Sequence, residues 1–480
     1  MLFNSFRKIT PTNGFDANNR SNARQNDYAW AMDELGEFLY VGTGRNIPNL
    51  AFDALGLPIP DAFEPNNDYR AEIWRVKKDG STDWELDFKT AERSFGFRYM
   101  IQFPRVSSNS QASGTPALYA AATSSDGEKA VIYRKRSNTD SWTEFARLAG
   151  ETSRSMVEHN GRLYVATVPL ASTNDVPQLF RLNIARTGFD PVSLPSDITG
   201  EIVSMISFNG HLYIGLAKTG GFDIWRTNGA DPSSGWRLVV DRGAGDAINI
   251  IPFEMDEFDD CIYVGTGMVP FLPLLSESTV ITKGFDIVRI DKEDNWEIVV
   301  GGLPSERTNP TTGNRNLSLY PSGFGNPFNA YCWQVRKFGD TLYAGSFDWS
   351  VVIPPALQSL LEEIMDDEDP SVTENLMESF ITTILNTSSA IPNLLFGFGL
   401  WKSRNGRLWT PVSVNGFNNP RNYGVRNLFA SSDGKLYLGT ANPFQGCEVW
   451  VKDKNHDHNL FDIHRWSIDK LKDLLSELKK

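Results

Sequence analysis

The chain has 480 residues, 40% of them hydrophobic and 12% aromatic, with a formal net charge of −13. This acidic balance excludes a nucleic-acid partner, which would need a basic stripe to displace phosphate counterions, and it disfavours simple attraction to an anionic membrane. No apolar run of about 18 residues predicts a transmembrane helix, the opening MLFNSFRKIT lacks the apolar core of a secretory signal, and Cys261, Cys332 and Cys447 are dispersed and odd in number, so the expectation is a soluble cytoplasmic protein with free thiols.

Residues 5–19, SFRKITPTNGFDANN, resemble residues 408–420, LWTPVSVNGFNNP, including the shared Asn-Gly-Phe. Residues 6–10 are therefore expected to be an outer strand detached from a later repeat. YAWAMDEL (28–35) alternates as an innermost strand, Gly36-Glu37 turns the chain, and FLYVGTG is a second strand with both faces apolar. AEIWRVKK (71–78) and DWELDF (83–88) follow as third and outer strands, joined at the hairpin signal Asp79-Gly80.

The same grammar recurs along the chain. FLYVGTGR is echoed by ALYAAATS, RLYVATVP, HLYIGLAK, CIYVGTGM, TLYAGSFD and KLYLGTAN, with tyrosines at 40, 119, 164, 213, 263, 343 and 437. Third strands return as VIYRKR, FDIWRT, FDIVRI, FGLWKS and CEVWVK, and outer strands carry Trp142, Trp236, Trp296 and Trp409. Strand-rich repeats of about 45 to 50 residues predict an all-β fold, a seven-bladed β-propeller over residues 1–466. The seventh repeat lacks an outer strand, and residues 6–10 supply it, which ties the chain ends together and removes open edges.

Three insertions, 46–67, 269–283 and 349–395, follow second strands and so share one face with the blade-to-blade loops. All carry Leu, Ile, Phe and Pro where plain loops would be polar. The last contains two helical patterns, PALQSLLEEIMDD and TENLMESFITTILN. The tail SIDKLKDLLSELKK (467–480) has amphipathic helical spacing. Apolar loops of this length are lids, binding loops or contact surfaces, or they pack over the channel mouth without a further role.

Polar residues gather on the same face: Arg45 and Asn46, Asp348 and Trp349, Asn442, and from the blade-to-blade loops Asn26, Tyr28, Arg315, Asn316, Asn329, Tyr331, Asn422, Tyr423 and Arg426. Blades one, six and seven adjoin in a closed ring, so Arg45, Asp348 and Tyr423 are expected to converge as catalytic residues. Asn46, Asn329, Trp349, Arg426 and Asn442 would hold substrate. An Arg, an Asp and a Tyr beside an apolar pocket suit proton abstraction or anion stabilisation. For each residue the competing reading is structural: strand-end Asp and Asn cap turns, and Tyr28, Trp30, Tyr331 and Trp333 pack between blades.

Other chemistries leave no trace. His159 and His211 fall on the opposite face, and His456, His458 and His464 lie near the C-terminus. None is placed for a Ser-His-Asp triad or a Cys-His pair, and no CxxC pair, HExxH, P-loop or dinucleotide fingerprint occurs. The run Asp366–Asp369 lacks EF-hand spacing. Metal ligands and cofactor stay unassigned, with calcium or magnesium held by strand-end oxygens left open.

The segments NDYAWAM…LYVGTGRN, FNAYCWQV…LYAGSFDWS and NYGVRNLF…LYLGTANPFQGCEVW resemble a family of bacterial propellers, that of the cyanobacterial cylindrocyclophane-forming alkylating enzymes. The resemblance implies displacement of chloride from a secondary alkyl chloride by a phenol carbon or a carboxylate. It also implies a calcium-binding region, and an Arg, an Asp and a Tyr at the mouth, which would be Arg45, Asp348 and Tyr423. This chain departs from that pattern in lacking Gly/Asp-rich calcium repeats and in its long insertion after Asp348. Two function classes follow. One is an enzyme on a hydrophobic small molecule at the lidded face. The other is a scaffold whose apolar insertions bind a protein partner or a second copy of the chain.

Overall fold

Each repeat phrase folds as the second strand of a four-stranded antiparallel meander. The computed structural model describes residues 5–54, 59–60, 62–64, 68–105, 114–123, 129–168, 176–268, 283–303, 308–353, 355 and 396–453. The helical patterns within 356–395, the insertion core 269–282 and the tail helix at 467–480 lie outside the described residues.

After the short strand β1 (Arg7–Lys8) and helix α1 (Arg20–Gln25), the first meander is β2 (Asn26–Leu35), β3 (Phe38–Arg45), β4 (Glu72–Lys77) and β5 (Glu85–Lys89). Helix α2 (Ile47–Ala54) opens the first insertion. The second meander is β6 (Phe97–Phe103), β7 (Ala117–Ala122), β8 (Lys129–Lys135) and β9 (Thr143–Ala149). The third is β10 (Thr152–His159), β11 (Arg162–Val168), β12 (Gln178–Leu182) and β13 (Phe189–Val192). Then come β14 (Glu201–Phe208), β15 (His211–Ala217), β16 (Asp223–Thr227) and β17 (Trp236–Val240). The fifth is β18 (Ile251–Phe258), β19 (Cys261–Gly267), β20 (Ile287–Ile290) and β21 (Trp296–Val300). The sixth is β22 (Asn329–Phe338), β23 (Thr341–Asp348), β24 (Leu400–Ser403) and β25 (Trp409–Ser413). Last come β26 (Gly424–Ala430), β27 (Lys435–Ala441) and β28 (Val449–Asp453), with β1 as the fourth strand, Arg7 opposite Val451 and Lys8 opposite Trp450.

The first strands of successive meanders pack side by side, and β26 returns to β2, so they close a ring around a central channel. This is a β-propeller. Its repeat tyrosines explain themselves: Tyr40, Tyr119, Tyr164, Tyr213, Tyr263, Tyr343 and Tyr437 are all fully buried, each in a cluster shared with the next blade. A large aromatic in each blade supplies the apolar area that a two-sided sheet must bury. The Thr of the phrase is equally structural. Its hydroxyl bonds the third strand, Thr266 Oγ1 receiving from Asp286 N at 2.9 Å and Thr440 Oγ1 from Glu448 N at 2.8 Å.

A second recurring device locks the blades near the insertion face. The side-chain amides of Asn26, Asn249 and Asn422 each donate to the carbonyl of a left-handed glycine, Gly14, Gly243 and Gly416 (2.9, 3.1 and 3.0 Å), and to a buried carboxylate of the third strand, Glu72, Asp286 and Glu448 (2.9, 2.9 and 2.8 Å). The glycines have φ between 62° and 70°, and a Cβ at Gly14 would lie 1.7 Å from the Ala23 carbonyl oxygen, so only glycine fits. This clamp is what the Asn-Gly-Phe shared by residues 5–19 and 408–420 encodes. Each acid also meets a cation: Lys89 and Glu72 at 3.0 Å, Lys283 and Asp286 at 2.7 Å, Lys8 and Glu448 at 3.1 Å.

Outer strands are not uniformly edges. Every residue of β21 is buried, because Leu317 N and Ser318 N bond the carbonyls of Ile298 and Val299 and cover it. Asn316, expected at the mouth, braces this cover by donating to the carbonyls of Gly301 and Tyr320.

Strand β1 is held to the last blades by apolar contact as well as pairing. Phe6 is 5% exposed and packs edge-on to Tyr343 and against Phe417 (centroids 6.4 and 5.4 Å). Phe6→Ala is expected to lower unfolding free energy by about 3–5 kcal/mol, the usual cost of deleting a buried ring, as read from denaturant midpoints. An unchanged midpoint would mean that this closure contributes little.

Candidate functional site

Every first strand carries a β-bulge at the corresponding level. The register slips at Trp30 in β2, Arg98 in β6, Arg154 in β10, Val203 in β14, Phe253 in β18, Trp333 in β22 and Arg426 in β26. A bulge re-aims its extra residue out of the ladder, and all seven side chains line one cavity of about 100 Å³ on the channel axis. The aromatic members rest on glycines. A Cβ at Gly44 would lie 2.5 Å from the Trp30 ring, and one at Gly424 would lie 2.1 Å from Trp333. Arg98 sits over Trp30 at 5.1 Å, and Arg426 over Trp30 and Trp333 at 5.4 and 5.3 Å, in cation–π contact.

Above this ring lies an aromatic wall. Tyr28, Trp30, Phe328, Trp333, Phe347, Trp349 and Tyr423 share one buried cluster with Phe52 of α2, and Tyr331 and Phe253 pack against it. Inside it the hydroxyls of Tyr28 and Tyr423 are hydrogen-bonded to each other. Burial first, then Tyr28 and Asp27, raise Tyr423 far above an ordinary phenol. Asp27 is itself buried with Oδ1 unbonded, and desolvation raises its carboxyl well above the usual range.

Asp348 ends β23 at this wall. Its Oδ1 caps the following turn, receiving from Ser350 N (2.9 Å) and Ser350 Oγ (2.6 Å), while Oδ2 is buried with no hydrogen bond of good geometry, the Asn326 side chain being near enough to favour the ionised carboxylate slightly. Desolvation raises its pKa to about 7. Its ladder partner is Asn329, whose Oδ1 is also buried and unbonded. Asn329 occupies the clamp position of this blade and donates to Gly323 O at 3.0 Å, but the third-strand acid found in neighbouring blades is here Gly399. No carboxylate can stand there, since a Cβ would lie 1.9 Å from the Trp401 ring.

Arg45, the residue equivalent to Asp348 in the first blade, turns the other way. Its Nε donates to Asp68 O (2.7 Å), Nη1 meets Asn26 Oδ1 (2.7 Å) and Glu72 Oε1 (3.3 Å), and Nη2 donates to Asn22 Oδ1 (2.9 Å) and Gln25 Oε1 (3.2 Å). Four hydrogen bonds and one ion pair thus hold the guanidinium against the clamp and helix α1. Burial pushes Glu72 upward, yet Arg45, Asn26 and Lys89 outweigh it and hold this carboxylate below its ordinary range. The expected convergence is therefore partial. Asp348 and Tyr423 adjoin, Asp348 N bonding Tyr423 O at 2.7 Å, but Arg45 is consumed by its own blade.

The other expected residues divide similarly. Arg426 lines the cavity and Trp349 stands in the wall beside Phe328 at 4.9 Å. Asn46 donates to Gln25 Oε1 (3.1 Å), and Asn442 bonds Asn422 Oδ1 (2.9 Å) and caps the turn at Phe444 and Gln445, so both are braces. His159 bridges blades through Ser207 Oγ and Ala230 O, at 2.8 and 2.7 Å. Arg98, Arg154 and Phe253 escaped the sequence reading. The signal was spacing: Trp30, Arg154, Val203, Phe253 and Trp333 each precede their repeat tyrosine by ten residues.

Among the described residues no group of three or more His, Cys, Asp or Glu is placed to hold a metal. The free oxygens of Asp348 and Asn329 fall short of the six to eight that calcium takes, so the described residues do not fit that ion and no step is derived through it. No described helix is long and apolar enough to cross a membrane.

No family model and no curated protein matches the chain. Among solved structures it is similar to the GH74 xyloglucanase from Xanthomonas campestris (12% identity, 94% of this chain and 54% of that one, TM-score 0.47). It is also similar to the β-propeller domain of the Trilobed protease from Pyrococcus furiosus (9%, 88% and 94%, TM-score 0.43). A third is an α-L-arabinanase from Penicillium chrysogenum (10%, 94% and 98%, TM-score 0.40). The fold assignment rests on the strand pairing above.

Two outcomes test this geometry. Glu72→Ala should cost about 3–5 kcal/mol, because it strips the buried Arg45 of its counter-charge; a loss below 1 kcal/mol in denaturant unfolding would contradict the clamp. Asp348 has a folded pKa above its unfolded value, so the fold holds the extra proton. Its contribution is full below about pH 4 and is lost as pH rises to about 7. Asp348→Asn should flatten that decline in a pH series of melting curves, and a slope identical to wild type would place the titration elsewhere.

Proposed function

We propose that the insertion-side channel mouth is the active site of an enzyme acting on a hydrophobic small molecule, with Asp348 as the base. The reading takes the chain as a seven-bladed propeller closed by residues 6–10, with its insertions on the active face. The observation that carries it is the unbonded Oδ2 of Asp348, fully buried against an aromatic wall, in the one repeat whose clamp lacks its carboxylate among those of Asn26, Asn249, Asn329 and Asn422. A base raised to about pH 7 is matched to proton transfer at neutral pH.

In its specific form the reaction is alkylation by a secondary alkyl chloride. Asp348 takes the proton of a phenol, or a carboxylate arrives already ionised. The ring carbon, or the carboxylate oxygen, forms the new bond to the secondary carbon as the carbon–chlorine bond breaks. When a ring carbon attacks, the ring proton passes to solvent, Asp348 returns its proton to the phenolate oxygen, and the net by-product is HCl; with a carboxylate it is chloride alone. The Tyr28–Tyr423 pair adjoins the site and can donate to the departing chloride. The positive charge first sought in Arg45 is assigned instead to Arg426, which lines the channel immediately below.

The test is turnover followed by mass spectrometry, using a long-chain secondary alkyl chloride with an alkylresorcinol or a fatty carboxylate. Wild type should give a coupled product with loss of chloride. With the phenol, kcat/KM should rise through about pH 7, and Asp348→Asn should lower it about 10²–10⁴-fold, the usual contribution of a general base. Undiminished turnover in Asp348→Asn would remove the base from this residue. Absence of product from wild type would remove the alkylation.

A further inference from the structure

The bulge ring gathers more positive charge than the protein balances. Arg98, Arg154 and Arg426 project into the same axial cavity from β6, β10 and β26. Among the described residues none of the three makes an ion pair or a side-chain hydrogen bond, and the buried Nε atoms of Arg98 and Arg154 have no partner. Elsewhere in this channel arginines are paired, Arg336 with Glu254 and Asp256 (3.3 and 3.6 Å) and Arg105 with Asp33 (3.7 Å). Desolvation acts first on Arg98, and the charges of Arg154 and Arg426 then add to the destabilisation, while Glu201 opposes it. Arg426 feels desolvation and Arg154, opposed by Glu254 and the tyrosines.

Part-buried guanidiniums crowded in one channel with no carboxylate in ion-pair contact repel one another, and the cost is offset when an anion sits between them. Guanidinium donors lie in a plane and match the paired oxygens of a carboxylate, sulfate or phosphate better than a spherical halide. We propose that the cavity framed by Arg98, Arg154 and Arg426 is a binding site for a small oxyanion. Its volume of about 100 Å³ admits an anion or an anionic head group, and Trp30, Trp333 and Phe253 in its lining offer apolar contact to any body attached to it. The site does not depend on Asp348 acting as a base.

The test is thermal unfolding of the full chain at constant ionic strength in sodium chloride, sulfate, phosphate, acetate or hexanoate, with calorimetric titration of any stabilising anion. At least one oxyanion should raise Tm several degrees above chloride in a saturable way, as a ligand specific to the native state does. Hexanoate acting at least tenfold below acetate, phosphate and sulfate identifies an organic acid; phosphate or sulfate acting lowest identifies an inorganic anion. Arg98→Met and Arg154→Met should each weaken the titrated affinity at least tenfold. In chloride each should melt at or above the wild-type temperature, because a repelling charge has been removed. A purely structural arginine would instead lower it. Asp348→Asn should keep the full anion response, which separates this site from the proposed base. Equal melting in all five salts, or a response unchanged in both arginine variants, overturns the proposal.

Discussion

A closed ring of first strands leaves space on its axis for about one side chain per strand at each level, and the bulge decides which one. Without it, the regular alternation of a strand would send every second residue inward along the whole channel. With it, one residue per blade is turned out of the ladder at a common height. Trp30, Arg98, Arg154, Val203, Phe253, Trp333 and Arg426 are therefore out of the strand ladder and share the axial cavity, although the aromatic ones still pack in the wall above it. The glycines beneath the rings, Gly44 and Gly424 among them, are the complement of that choice.

The second constraint is electrostatic. A carboxylate buried between an asparagine amide and a cation stabilises its blade only while every partner is present, since any one left alone carries its desolvation unrelieved. The clamps of Glu72, Asp286 and Glu448 obey this rule. In the sixth blade Gly399 removes the acid, and Asp348 stands where Arg45 stands in the first. The local field is thereby inverted: a carboxyl with no cation replaces a cation with its carboxyl. With no cation beside it, the hydrogen bonds from Ser350 only partly offset its desolvation, which is the condition for a base near neutrality.

The repeat made most of the fold legible. The tyrosines are periodic because they serve the same contact in each blade, and the Asn-Gly-Phe shared by residues 5–19 and 408–420 announced the pairing of β1 with β28. The site was legible only where it interrupted the period. Asp348 and Tyr423 stood out at strand ends, but so did Arg45, and sequence alone does not separate a guanidinium facing a channel from one facing Glu72, since both end the same phrase. Arg98 breaks the ten-residue spacing that Arg154 shares with Trp30 and Trp333, and Arg154 was missed for a different reason. Its bulge shifts the alternation by one residue, so a strict two-residue pattern gives Arg154 no reason to face the axis.

The charge of the whole molecule and the charge of its channel have opposite signs, and the difference selects by size. A formal net charge of −13 repels extended polyanions, whose many phosphates would feel the surface together. Screening at physiological salt reduces that field beyond about 8 Å, so a single small anion meets little resistance on approach. Within the channel the surrounding protein screens far less than water, and the attraction of three guanidiniums is correspondingly stronger. Apolar groups at the mouth then favour an anion that brings hydrocarbon with it. The proposed anion site thus favours an amphipathic acid, its charge between the arginines and its hydrocarbon against Trp30, Trp333 and Phe253 of the same cavity.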